Sequence, residues 1–192
     1  METAIYVILG IVILIALVIL TNYIIVIIKA TQNNKSNKKT LGNSTKIRII
    51  YQIKEALEKL SKTKTGAIIT IENKDNLDSL RTDGIILDAN ISSSILLSIF
   101  NKHSPLHDGG VIIRNNKIYY VATYYKITKK SIDNKYGARH RAGMGISEVC
   151  DASTLIVSEE NGGITLAENG VLQPVPIENL QIVLGRILKD SD

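Results

Sequence analysis

The sequence predicts an α/β domain, a mixed β-sheet flanked by helices, preceded by one transmembrane helix. Segments with helical apolar spacing are mixed with short β-branched runs, the pattern of helices packed on a sheet. Several of those runs pair across turn residues as hairpins. One long uncharged apolar stretch precedes them all. The chain has 192 residues, enough for one globular domain plus an appendage and too few for two full domains.

Residues 4–28 are the expected span. From Ala4 to Ile28 there is no charged side chain, and only Thr21 and Asn22 are clearly polar. Such a run makes a helix of roughly 37 Å, against a hydrocarbon core of about 30 Å. A helix also satisfies every backbone polar group in lipid. A secretory signal peptide fits badly, because no basic region precedes the run and the run is too long. A buried core helix would carry a polar face, and this stretch has none.

The net charge of +5 and pI near 9.2 invite a nucleic-acid reading. Its location argues otherwise. Lys29, Lys35, Lys38, Lys39, Lys46 and Arg48 follow the apolar run directly, and from Ile49 onward 17 basic residues balance 17 acidic ones. A basic cluster beside a span is a topology signal and attracts anionic lipid. No DNA or RNA partner is expected. Residues 29–46, rich in Asn, Lys, Ser and Thr, read as a juxtamembrane linker. The soluble part, 47–189, is expected on the cytoplasmic side of the cell membrane, held by a single pass. The lone cysteine, Cys150, excludes a disulfide framework and reads as a small buried hydrophobe.

Within the soluble part, Ile47, Ile50, Tyr51, Leu57 and Leu60, with Ile53 beside them, predict a helix over 47–62. The β-branched run 66–72 predicts a buried strand, 73–83 a polar turn region, and 85–87 a short strand. Ser92 or Ser93 is placed to cap a helix running to about Asn101. Runs 110–114 and 117–125 predict a hairpin closed by Asn115-Asn116. Residues 138–150 read as a helix despite Gly143 and Gly145. Runs 154–158 and 164–167 predict a second hairpin, Pro174 and Pro176 punctuate, and 178–188 reads as a closing amphipathic helix.

Three loops concentrate reactive residue types. Ser104-Pro105-Leu106-His107-Asp108-Gly109-Gly110 puts an acid at the mouth of a strand, with glycines that let backbone approach a ligand closely. The same residues would also serve as an ordinary Asp-Gly turn. Gly137-Ala138-Arg139-His140-Arg141 puts two guanidinium groups where a helix begins, suited to phosphate oxygens. A solvated basic patch is the competing reading. Ser158-Glu159-Glu160 closes a buried strand with two acids that could hold a divalent cation or form a plain hairpin tip. Neither GxxxxGK[ST] nor GxGxxG is present, so P-loop and Rossmann chemistry are not supported. No serine lies in a GxSxG elbow.

Taken in order, these pieces resemble the diadenylate cyclase (DAC) domain family over roughly residues 47–170. The resemblance is carried by the 87–100 region and Ser104-Pro105-Leu106-His107-Asp108-Gly109. It continues through Arg139-His140-Arg141-Ala142, Gly145-Ile146-Ser147-Glu148, Asp151-Ala152 and Val157-Ser158-Glu159-Glu160. One span before the domain resembles the single-span members (CdaM type). The resemblance implies the DAC-domain fold and condensation of two ATP into cyclic di-AMP, a second messenger, and two pyrophosphates. It implies that Asp108 helps activate a ribose 3′-hydroxyl while Arg139, His140 and Arg141 bind the triphosphate. His107 and Glu160 would ligate a divalent metal ion, Mg2+, Mn2+ or Co2+. Leu106, Gly109, Gly110, Tyr124, Ala138 and Ser158 would contact ATP, Leu106 and Tyr124 beside the adenine. A homodimer with two ATP sites face to face is implied, so a lone monomer would be inactive. Three departures stand out: Gly110 where the family has Ala, Ala138 where it has Thr, and Tyr125-Lys126 where it has Leu-Pro. A nucleotide sensor without catalysis, with Ala138 and Gly110 as its signs, and a tethered interaction domain are the competing functional readings.

Overall fold

The computed structural model describes residues 6, 10, 11, 13–25 and 42–190 of the chain. The chain divides into two compact units, Met1–Lys39 and Thr40–Asp192. In the first, residues 13–25 are helical, and both polar side chains turn back onto the backbone. Thr21 Oγ1 donates to the Val18 carbonyl at 2.9 Å and Asn22 Nδ2 to the same oxygen at 3.1 Å. Among the described residues no helix is long and apolar enough to cross a membrane. The remainder of the expected span 4–28, and residues 29–41 of the expected linker, lie outside the described residues.

The second unit opens with α1 (Asn43–Lys62), which begins inside the stretch expected to be linker. Its buried face is Ile49, Ile53, Ala56, Leu57 and Leu60. Ile47 and Tyr51, expected on that face, are exposed. The helix carries more apolar residues than one face holds, so its rotation is set by what packs on it.

Next come β1 (Ala67–Ile71), β2 (Arg81–Thr82), β3 (Ile85–Asn90), α2 (Ser93–Ile99), β4 (Gly110–Arg114) and β5 (Lys117–Tyr125). Ser92 caps α2, its hydroxyl accepting the Ile95 N–H at 3.4 Å. Asn115 and Asn116 close the β4–β5 hairpin with φ of 50° and 62°, the left-handed pair that a tight two-residue hairpin turn needs. Then follow α3 (Ala138–Ser147), β6 (Ser153–Val157), β7 (Ile164–Glu168), β8 (Val171–Pro174), a 3-10 turn (Ile177–Asn179) and α4 (Leu180–Asp190). Strands β2 and β8 were not expected. Both are short, two and four residues, and they form because a neighbouring strand offers an edge.

The sheet runs β2-β5-β4-β1-β6-β7-β8, with β3 also pairing β5. Only β1 and β4 run parallel; the other pairings are antiparallel. The expected mixed sheet with flanking helices is what forms. Alternation along each strand feeds two cores. Ile69, Ile71, Val111, Ile113, Leu155 and Val157 face the core shared with α1, α2 and α4, whereas Ile68, Ile112, Ile156, Tyr120 and Tyr125 pack with Ile146 of α3.

Helix α3 lies unusually close to its surroundings, and its two glycines are the reason. A Cβ on Gly143 would stand 2.8 Å from Ile156 Cδ1, and one on Gly145 would collide with the Lys126 carbonyl oxygen and meet Thr128 N at 2.7 Å. Thr128 N–H donates to the Arg141 carbonyl at 3.0 Å, and its hydroxyl to Glu148 at 2.7 Å. Ser147 Oγ accepts from Gly170 N at 3.2 Å. Cys150 sits half-buried beneath this helix, its thiol directed at the Ile146 carbonyl. The Gly145→Ala variant is expected to lose about 2–3 kcal/mol, because rigid backbone cannot yield as a side chain would. Urea unfolding of the variant and parent checks this; equal midpoints would refute the close-approach account.

Candidate active site

Strand direction decides where the reactive loops meet. Parallel pairing of β1 and β4 puts their N-terminal ends side by side, with Ile69 opposite Val111. Antiparallel pairing of β6 with β1 sets Val157 opposite Ala67, so β6 ends where β1 begins. Likewise Gly110 pairs with Thr123, so β5 also ends there. Asp108-Gly109 precedes β4, Tyr124 is the last residue but one of β5, and Ser158-Glu159-Glu160 follows β6. Three of the sequence-selected segments therefore share one end of the sheet.

Helix α3 brings the fourth. Arg139, on its first turn, forms an ion pair with Glu159, Nη1 to Oε2 at 2.8 Å. The cap residue Gly137 supplies no side-chain acceptor, and the first turn carries no acid. The start of α3 therefore keeps its positive end uncompensated beside two arginines. Arg141 is half-buried and has no ion-pair partner among the described residues. His140 differs from its neighbours: it is 5% exposed, with its ring 5.0 Å from that of Tyr136.

Asp108 is exposed, and one carboxylate oxygen accepts the Tyr124 hydroxyl at 3.0 Å. That hydrogen bond holds the Tyr124 phenol above its ordinary value, since ionising it would set two negative charges together. Gly109 follows with φ of 104°, and a Cβ there would sit 2.7 Å from the Ala122 carbonyl carbon. Only glycine lets this loop lie on β5 and hold Asp108 within reach of Tyr124. A Cβ at Gly110 would touch the Tyr125 ring at 3.1 Å and its hydroxyl at 3.2 Å. The Tyr125 side chain thus occupies the room that a side chain at 110 would take.

His107 is half-buried, with Nδ1 2.6 Å from the Ser104 carbonyl. A carbonyl only accepts, so Nδ1 carries the proton and donates it, and Nε2 is left with an available lone pair. Leu106 packs against the larger core. Ser158 and Glu160 lie in the β6–β7 hairpin tip, where Ser158 Oγ accepts the Glu160 N–H at 3.3 Å. That tip is docked on α1 by Ser61, whose hydroxyl donates to the Gly162 carbonyl at 2.6 Å. Ala138 opens α3 and is exposed.

Other motif residues turn out to hold the frame. Asp151 accepts the N–H groups of Lys74 and Asp75, each at 3.1 Å, pinning the loop after β1. Farther along that loop, Arg114 pairs with Glu72 at 2.6 Å and Asp78 at 2.8 Å, while Tyr120 donates to Asp78 at 3.0 Å. The loop then enters β2, which pairs with Tyr124 and Tyr125. Glu159 as the partner of Arg139 was not expected from the sequence, where only adjacency to Glu160 singled it out. Burial holds the His140 imidazole below its ordinary value of 6.5, opposed in part by the charge of Glu160. The unfolded chain therefore binds the proton more readily, and stability falls as pH drops below about 6.5. His140→Gln is expected to flatten that acid slope, read from urea unfolding at about pH 7.5 and 5.5; an unchanged slope would refute it.

Residues 54–172 match the family model described as DisA bacterial checkpoint controller nucleotide-binding, the DAC family. A diadenylate cyclase from Mycoplasma pneumoniae is 47% identical over 118 residues, covering 61% of this chain and 58% of that protein. The cyclic di-AMP synthase CdaA of Bacillus subtilis is 44% identical over 124 residues, 64% of this chain and 45% of that one. The match thus spans roughly half the length of these relatives. Among solved structures, a double mutant of DacA from Staphylococcus aureus superposes with a TM-score of 0.70 at 37% identity, covering 73% of this chain and 95% of that one. A hypothetical membrane-spanning protein from Bacillus cereus gives 0.65 at 36% identity, covering 77% and 71%. With more than half of its residues matched to the family model and the fold shared with DacA, this chain belongs to the DAC family.

Proposed function

We propose that this chain is a diadenylate cyclase, a nucleotidyltransferase that joins two ATP molecules into cyclic di-AMP and releases two pyrophosphates. The observation that carries the reading is the meeting of Asp108, the arginine-bearing start of α3 and the Ser158–Glu160 tip at one end of the sheet. Such a transfer depends on in-line positioning and charge neutralisation more than on covalent help from protein. The 3′-oxygen of one ATP attacks the α-phosphorus of the other, and the bond to the β-phosphate breaks as pyrophosphate leaves. Asp108 receives the hydroxyl proton. Repetition with the roles exchanged closes the ring.

Arg139 and Arg141, with the open N–H groups of α3, are the triphosphate-binding set in this reading. His140, buried and neutral, serves it by donating a hydrogen bond instead of a charge. Tyr124 offers its ring to the adenine and its hydroxyl to Asp108; Leu106, Gly109, Gly110, Ala138 and Ser158 line the same end. The donors present suit a divalent ion: His107 Nε2 is free and Glu160 is exposed. No group of three His, Cys, Asp or Glu side chains that could hold an ion comes together among the described residues. Mg2+, Mn2+ or Co2+ would then complete its shell with phosphate oxygens and water. Bound there, the ion would neutralise triphosphate charge and ease deprotonation of the hydroxyl.

One site holds one ATP, so the reaction requires a homodimer with sites facing each other. Residues 4–28 are proposed as a single-pass anchor, with the catalytic unit held cytoplasmic by the basic residues after it. The inward-turned bonds of Thr21 and Asn22 support this, because polar side chains in lipid need a partner.

The full chain in detergent, given ATP and each metal in turn, should yield cyclic di-AMP, with a rate per protein that rises with protein concentration. Absence of product with every metal, from verified dimer, would overturn the reading. Asp108→Asn should lower turnover about 10²- to 10⁴-fold while sparing ATP binding; full activity would refute the role of Asp108. Tyr124→Phe keeps the ring and loses the hydroxyl, so kcat should fall about three- to tenfold with KM nearly unchanged. A change in KM alone would assign Tyr124 to adenine binding only.

A further inference from the structure

The Arg139–Glu159 pair does not stand free in solvent. It lies directly against the α-carbon of Gly66, the residue immediately before β1. A Cβ built on Gly66 would stand 2.6 Å from Arg139 Nη1, 2.9 Å from its Cζ and 3.0 Å from Glu159 Oε2. The backbone register explains the meeting. Ala67 pairs with Val157, so Gly66 and the Ser158–Glu159 turn are neighbours at the sheet end that α3 overhangs. The Gly66 backbone is not in the left-handed region that demands glycine. What the missing side chain provides is room for the guanidinium.

We propose that Gly66 and Glu159 form a seat that orients the Arg139 guanidinium for the triphosphate, making both of them positioning residues for ATP. The inference rests on the ATP-site reading above. Two observations favour a positioning role over a merely stabilising one. The Glu159 side chain is 60% exposed, and an ion pair so open to water adds little to folding. The recorded bond also uses Nη1 alone. Nε and Nη2 keep their N–H donors, the edge that binds phosphate oxygens two at a time. A long side chain already held in one rotamer gives up less freedom when the ligand arrives. Glu159 and Glu160 therefore have separate tasks on one hairpin tip: Glu159 holds the arginine, and Glu160 is left for the cation.

Substitution at Gly66 tests this cleanly, because the three atoms nearest an added methyl belong to the ends of two flexible side chains. Gly66→Ala should shift the pair and leave the fold intact, unlike Gly145→Ala, which strikes backbone. The probe is 3′-deoxy-ATP, which lacks the attacking hydroxyl and reports binding without turnover, titrated onto the full chain with Mg2+. Gly66→Ala and Glu159→Ala are each expected to weaken binding about tenfold. Glu159→Gln, which keeps an acceptor oxygen, should recover most of that loss. In an Arg139→Ala background, neither Gly66→Ala nor Glu159→Ala should weaken binding further. A loss of equal size in both backgrounds, an affinity within twofold of the parent, or tighter binding by Glu159→Ala would overturn the proposal. Should Gly66→Ala fail to fold, the Glu159 pair of variants decides alone. Unchanged binding by Arg139→Ala itself would instead overturn the ATP-site reading, and this inference with it.

Discussion

The architecture of the site depends on how one strand, β1, pairs with its two neighbours. Strand β1 runs parallel to β4 on one side and antiparallel to β6 on the other, in a register that sets Ile69 beside Val111 and Ala67 beside Val157. Reverse either neighbour, and Asp108 or Glu159 would move to the far end of the sheet. The register is held by burial on both faces. Every residue of β1 and β6 is buried, so a slip of one position would exchange the two cores. Site geometry and core packing are therefore the same constraint seen from two directions.

On that frame, α3 is set by small residues and kept by hydrogen bonds. Gly143 and Gly145 admit the close approach, and Thr128, Glu148, Ser147 and Gly170 then lock it. The result delivers the N-terminal turn of α3, with Arg139 and Arg141, to the open end of the sheet. On the opposite flank, the Glu72–Arg114–Asp78 network anchors the loop that enters β2. Its importance reaches the site through β2, which pairs with Tyr124, whose hydroxyl binds Asp108. Breaking a buried pair of this kind by removing one partner leaves a charge without compensation, which is why such networks rarely tolerate truncation.

Much of the fold was legible because patterning is local. The β-branched runs became β1, β4, β5, β6 and β7, the Asn115-Asn116 turn closed its hairpin, and Ser92 capped its helix. The failures have a common cause. The buried face of α1 is Ile49, Ile53, Ala56, Leu57 and Leu60, leaving Ile47 and Tyr51 exposed, because a helix rich in isoleucine offers several faces. Strands β2 and β8 are too short to show an alternation of their own and form by pairing with β5 and β7. The site divides in the same way. Asp108, Arg139 and Arg141 were visible as chemical types in order, whereas Gly66 and the Glu159 partnership were not. Nothing near position 66 signals an arginine more than seventy residues later in the chain.

Net charge makes the same point on the scale of the whole chain. The sequence alone determined that the six basic residues between Lys29 and Arg48, offset only by Glu2, make up the whole excess of +5 and that the remainder from Ile49 onward is neutral. It also determined which residue types stand ready for phosphate and metal, and the succession of elements, since these depend on neighbours along the chain. Only the tertiary structure decided which of those charges meet. It buried His140, paired Arg139 with Glu159 over Gly66, and tied Asp108 to Tyr124. Each of those outcomes is a contact between segments remote in sequence, set by strand direction and the distance at which helix and sheet can pack, and neither quantity is written in any local stretch of residues.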